Sequence, residues 1–66
     1  MNIKVDEKAD ALYLRLDNSK IKNSEEVSPG IILDFSDKDE VVGVEILRLS
    51  KRTSKINLRE FQFQTL

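Results

Sequence analysis

Apolar residues recur in this chain at every second position, in runs too short for anything but β-strands, and no window carries the period of a long amphipathic helix. Ile3 and Val5 alternate with Asn2, Lys4 and Asp6. Leu12, Leu14 and Leu16 alternate with Tyr13 and Arg15; Ile31, Leu33 and Phe35 alternate with Ile32 and Asp34; Val42, Val44 and Ile46 alternate with Gly43 and Glu45. Successive side chains of a strand point to opposite faces, so each run offers one apolar face and one mixed face. Polar stretches separate the runs where hairpins would turn, at Asp6 to Asp10, at Pro29 and Gly30, and at Ser36 to Glu40. In the second of these, proline presets the first central torsion of a type II turn and glycine accepts the positive φ required next. Asp17 to Ser28 is polar apart from Ile21 and Val27, which predicts a loop with one short edge strand near Glu25 to Val27. Gly43 lies inside the last run, where a missing side chain marks a bulge or a close approach of other atoms.

These elements predict one small domain over residues 1–66, α+β or mainly β: an antiparallel meander of about four strands with a short C-terminal helical turn or strand. In the tail, Arg48 to Lys55 reads as a basic turn. Asn57 followed three positions later by Glu60 resembles a capping box, so a helical turn is expected there, followed by a strand through Phe61 and Phe63.

Composition narrows the function. A chain of 66 residues hides only about 60% of the surface its unfolded form exposes, so its stability is marginal without a staple. It has no cysteine, which excludes disulfides and thiolate metal sites, and no histidine, which removes the usual general base and the commonest metal ligand. No apolar run is long enough for a membrane span or signal sequence, and the expected setting is cytoplasmic, with no membrane partner.

Sorted by parity, Leu12, Leu14, Leu16, Ile31, Leu33, Phe35, Val42, Val44 and Ile46 form the expected core face. The reverse face carries Tyr13, Arg15, Asp34 and Glu45 among Ile32, Val41 and Leu47. It is too apolar to be fully wet and too charged to be dry, so these seven residues are the candidate interface, for a homodimer or a small protein partner, with coverage by the tail as the competing arrangement. Asp34 and Glu45 with Arg15 nearby are also the minimum kit for acid and base work, which makes a carboxylate-based small enzyme the alternative reading. Cross-strand ion pairing is the better account, because no nucleophile system accompanies them. Asp34 to Glu45 has the span of a calcium loop, yet Asp39 stands where that loop requires glycine and strands replace its helices. No catalytic, metal or cofactor-binding residue is therefore assigned. Residues 48–59 hold five basic side chains and no acid, whereas residues 1–47 hold six basic and eleven acidic ones. Without interleaved aromatic side chains, this basic segment supports at most weak nucleic-acid binding, and complementing the acidic sheet is its simpler role.

The segment D-E-K-A-D-A-L-Y-L-R-L at Asp6 to Leu16 resembles the opening signature of the prokaryotic family catalogued as domain of unknown function 2283. Glu25 to Val27, G-I-I-L-D at Gly30 to Asp34, V-G-V-E-I-L at Val42 to Leu47 and S-K-R at Ser50 to Arg52 are similar to its continuing pattern. The resemblance implies a compact β-rich domain with no established catalytic or cofactor residues. Because some relatives lie beside genes for small toxin-like proteins, it implies by analogy a non-enzymatic protein-binding, antitoxin-like role.

Overall fold

The computed structural model describes residues 1–66. Five strands form one antiparallel sheet: β1 (Asn2–Asp6), β2 (Ala11–Arg15), β3 (Asn23–Ser28), β4 (Ile31–Phe35) and β5 (Val41–Ile46), followed by the single helical turn α1 (Leu49–Arg52). The polar stretch expected to hold one short edge piece thus supplies a full six-residue strand, β3, and the count is five rather than about four.

The strand order is β1-β2-β5-β4-β3, so the expected uninterrupted meander is also corrected. β3, β4 and β5 do form one, but β2 pairs with β5 instead of with its neighbour in sequence. Composition explains the arrangement. The three most apolar strands, β2, β4 and β5, take the interior of the sheet, while Asn-Ser-Glu-Glu-Val-Ser fits only an edge, where charge and a register shift at Val27 discourage further pairing. Residues 16–22 carry the chain from β2 to that far edge. Leu16 N–H donates to the Val42 carbonyl at 2.7 Å and Lys22 N–H to the Phe35 carbonyl at 2.8 Å, tying both ends of the connection to the sheet.

The hairpin turns follow the residue chemistry. Asp6 Oδ1 accepts from the Ala9 N–H at 3.0 Å, and Asp10 closes the β1–β2 turn with a left-handed φ of 55°. Gly30 turns β3 into β4 at φ 76°. Ser36 N–H donates to the Glu40 carbonyl at 2.9 Å across the β4–β5 turn, where Asp39 has φ 58°.

Register fixes the faces. Leu12 lies opposite Val5 and Ile46, and Leu14 opposite Ile3 and Val44; Ile31 and Leu33 complete the same rows on β4. This front face is the one expected to be the core, and the structure corrects its degree of burial. Leu12, Leu14, Ile31, Leu33, Phe35, Val44 and Ile46 are only half-buried and Leu16 is exposed. Ala11, Val42 and Leu49 are the only buried hydrophobic residues. One sheet, one helical turn and an irregular tail supply no complete second layer, and a sheet needs one to dry its apolar face.

The tail also departs from expectation. The helical turn forms at Leu49–Arg52, inside the basic segment, and not at Asn57. At Asn57 the side-chain Oδ1 accepts from Arg59 N–H at 3.0 Å and the carbonyl from Glu60 N–H at 3.4 Å, a single turn with neither helix nor strand after it. The alternation of Phe61 and Phe63 with Gln62 and Gln64 opposes helical continuation. Ile56, Leu58 and Phe61 instead lean with Leu49 over Val5 and Leu12, enclosing a small cavity of about 170 Å³ at one end of the front face.

Candidate functional site

Three arrangements bear on function: a polar rung on the reverse face, a latch that holds α1, and the apolar front face itself.

The rung runs straight across the sheet. Asn2 on β1 faces Arg15 on β2, which faces Gly43 on β5, which faces Asp34 on β4, which faces Ser24 on β3. The glycine leaves a gap in the middle of this row, and Tyr13, from the adjacent row on β2, fills it. Its hydroxyl donates to Asp34 Oδ2 at 2.8 Å, while Ser24 Oγ donates to Asp34 Oδ1 at 2.5 Å. Asp34 is only 6% exposed, and a buried carboxylate needs such donors in place of water. A Cβ on Gly43 would lie 2.8 Å from Asp34 Oδ2 and 3.0 Å from the Tyr13 hydroxyl, so the site requires glycine for its space. The expectation of either a bulge or a close approach at Gly43 is met by both, because the β4–β5 register skips Val42 beside it.

Arg15 does not make the cross-strand ion pair expected of it. Its Nε donates to the Asp17 carbonyl at 2.6 Å, its Nη2 to the Ser19 carbonyl, and its Nη1 reaches the Tyr13 hydroxyl at 3.5 Å. Asp34 and Glu45 are not directly opposed either, since Glu45 pairs with Ile32 and Tyr13. The single ion pair of the chain joins Arg59 to Glu7 at 3.3 Å, between exposed side chains. Both Asp34 oxygens are taken by hydroxyl donors from β2 and β3. What the carboxylate does chemically is hold strands on either side of it together.

Asp17 caps the loop that Arg15 grips. Its carboxylate accepts the Ser19 N–H at 2.7 Å, and this bond, with a side-chain contribution from Ser19 and the charge of Arg15, holds its pKa below the ordinary 3.8. A depressed carboxylate adds stability above its unfolded pKa and loses it as pH falls through the lower folded value. The Ser19 amide resonance should therefore titrate with a midpoint below 3.8; a midpoint at or above it would mean that the bond is absent in solution.

The latch joins α1 to two hairpins. Asp10 accepts the Ser50 N–H at 3.0 and 3.2 Å and the Ser50 hydroxyl at 2.6 Å, and its carbonyl accepts the Leu49 N–H at 2.9 Å. Arg52 reaches back to the Leu47 carbonyl at 2.8 Å through Nε and to the Pro29 carbonyl at 2.6 Å through Nη2. The Arg48 and Arg52 guanidiniums both lie over Gly30, where a side chain would collide with them. Sequence reasoning missed this latch and Ser24, because a carboxylate in one turn meeting a serine forty residues later leaves no local spacing signal.

The seven candidate interface residues separate. Tyr13, Arg15, Ile32, Asp34 and Glu45 share the reverse face. Val41 does not follow them; the skipped residue places it opposite Phe35, in the front-face series. Leu47 lies past the end of β5, its N–H donating to the Gly30 carbonyl at 2.8 Å. Without Val41 and Leu47, the reverse face keeps only the half-buried Ile32 and Tyr13 ring and the buried Ala11 as apolar members, among Lys4, Arg15, Glu26, Asp34 and Glu45. The largest concavity, about 530 Å³ between Ser19, Lys20, Lys22 and the Ser36–Glu40 turn, has no hydrophobic residue in its lining and mixes both signs of charge. No helix is long and apolar enough to cross a membrane.

The family model described as "Protein of unknown function (DUF2283)" matches residues 2–50 of the chain. No curated protein and no solved structure matches it. The matched stretch includes the whole rung, the three positive-φ hairpin residues Asp10, Gly30 and Asp39, and Ser50 of the latch; Arg52 and the tail fall outside it.

Proposed function

The chain belongs to the DUF2283 family, a membership that carries no activity with it, and we propose that it works as a non-enzymatic protein-binding module whose contact surface is the apolar front face of the sheet. One observation carries this reading: Leu12, Leu14, Leu33, Phe35, Val44 and their neighbours form a continuous apolar face that stays only half-buried, with Ile56, Leu58 and Phe61 of the tail standing against its Val5 and Leu12 end. Contiguous apolar surface of this kind marks an interaction site. The reverse face is the weaker candidate, because its Tyr13, Arg15 and Asp34 are hydrogen-bonded within the chain and its apolar share shrinks once Val41 and Leu47 leave it. The Asp34 carboxylate supports the binding reading over the enzymatic one, since both its oxygens are engaged in joining strands.

The test compares two surface charges. Complexes are isolated from the native source with the parent chain, with Leu33→Glu and with Glu45→Lys as bait. Association retained by Glu45→Lys and lost with Leu33→Glu is the expected result. The opposite pattern would move the interface to the reverse face.

A further inference from the structure

Surface area identifies what belongs on the front face. A compact monomer of 7.6 kDa should expose about 4,300 Å². This chain exposes 5462 Å², an excess of about 1,200 Å² over that compact reference. Its radius of gyration is 12.8 Å, against about 11 Å for a globule of this length. Two features contribute to both departures, a sheet whose apolar front face stays only half-buried and a tail whose Phe61, Phe63 and Leu66 side chains are exposed. Two copies that each removed this excess would bury about 2,300 Å² together, within the range of obligate homodimers.

We propose, building on the protein-binding reading above, that the partner is a second copy of this chain. The two front faces pack against each other as a two-layer sandwich, and the Phe61 and Phe63 tail of each chain closes the rim of the contact.

Three features favour a second copy over a different protein. The first is self-complementarity. In a two-fold contact each patch meets itself, so charge near the axis would oppose like charge. The front rows hold Ile3, Val5, Leu12, Leu14, Ile31, Leu33, Val44 and Ile46, and their one charged member, Glu25, stands on the outermost strand. The second is coupling to folding. Three buried hydrophobic residues are too few to sustain a folded monomer that waits for an occasional partner, whereas a second copy is present whenever the chain is made. The third is the tail. Phe61 is 60% and Phe63 74% exposed, and Phe61 stands beside Val5 and Leu12 at one end of the front face, with Phe63 two residues further along the chain.

Sedimentation equilibrium of the full chain gives the mass, and a mixed sample of isotope-labelled and unlabelled chains gives the contact through intermolecular methyl effects. The expected results are twice the chain mass and intermolecular signals from Leu14, Leu33 and Val44. A chain ending after Glu60 should dissociate at least tenfold more readily, and Leu33→Glu should abolish the dimer while Glu45→Lys preserves it. If Leu33→Glu fails to fold, the labelled parent still reports the contact directly. A folded parent at single-chain mass, or a dimer whose intermolecular signals come from Tyr13 and Ile32, overturns the proposal. In the single-chain case, the protein-binding reading survives if Leu33→Glu still removes a different protein from the native complex, and falls if it removes nothing. A truncated chain that dimerises more tightly than the parent also overturns the proposal, because the tail would then be shielding its own face.

Discussion

Gly43→Ala is expected to cost about 3 kcal/mol or more, the largest loss from any single added methyl group in this chain. The new Cβ would stand 2.8 Å from Asp34 Oδ2, a distance that real Cβ atoms essentially never show, and 3.0 Å from the Tyr13 hydroxyl. To make room, the carboxylate must leave two hydroxyl donors, and hydrogen bonds to a charged group are worth roughly 1.5 to 3 kcal/mol each. Asp34 is buried, so solvent does not readily replace the lost partners. A domain of this size has about 3 to 10 kcal/mol in total, so the variant should be largely unfolded or melt more than 10 °C lower. The contrast with Gly30→Ala is informative. There the obstructing atoms are the ends of the flexible Arg48 and Arg52 side chains, whose shift forfeits the exposed Arg52 bond to the Pro29 carbonyl, and the left-handed backbone adds about 1 to 2 kcal/mol. Thermal melts of both variants and of Gly43→Ala combined with Asp34→Ala check the mechanism. If the clash acts through the carboxylate, the double variant is less damaged than the sum of its parts. A Gly43→Ala chain that melts with the parent would mean that Tyr13 and Asp34 do not meet over that residue in solution.

The strands and turns were legible because their causes are local. Alternation, the Pro29–Gly30 pair and the polar Ser36–Glu40 run each act within a few residues. Strand order was not local. That β2 pairs with β5 and not with β3 follows from competition for the interior of the sheet, which the polar β3 loses, and a pass along the chain does not weigh distant strands against each other. The same limit explains Val41. A single skipped residue at Val42 changes the facing of what precedes it, and strict parity through β5 assigned Val41 to the wrong row. Asp34 was legible as a site residue, but its partners were not. Arg15 looked like the natural ion pair, whereas backbone carbonyls of the 16–22 connection claim its guanidinium and an edge-strand serine takes its place. Core burial was overestimated because periodicity identifies an apolar face without revealing what lies against it.

The latch makes the second large prediction, a graded one at Asp10. This residue has two separate tasks: it adopts a left-handed φ of 55°, and its carboxylate holds the Ser50 N–H and hydroxyl. Asp10→Asn tolerates the same backbone and keeps an acceptor oxygen, so it should cost about 0.5 kcal/mol. Asp10→Gly accepts the backbone but loses the acceptor, a cost of about 1 kcal/mol given how exposed these bonds are. Asp10→Ala loses the acceptor and pays for the left-handed conformation as well, about 2 kcal/mol or more. The consequence extends past the turn, because α1 carries the buried Leu49 and delivers Ile56, Leu58 and Phe61 to the rim of the front face. Releasing α1 should therefore free the tail. Trypsin cleavage at Lys51, Arg52 and Lys55 reads this directly, with rates rising from parent through Asn and Gly to Ala. Equal rates for Asp10→Gly and Asp10→Ala would remove the backbone contribution, and an Asp10→Ala chain cut no faster than the parent would show that the tail is held to the sheet by its own apolar contacts and not through the latch.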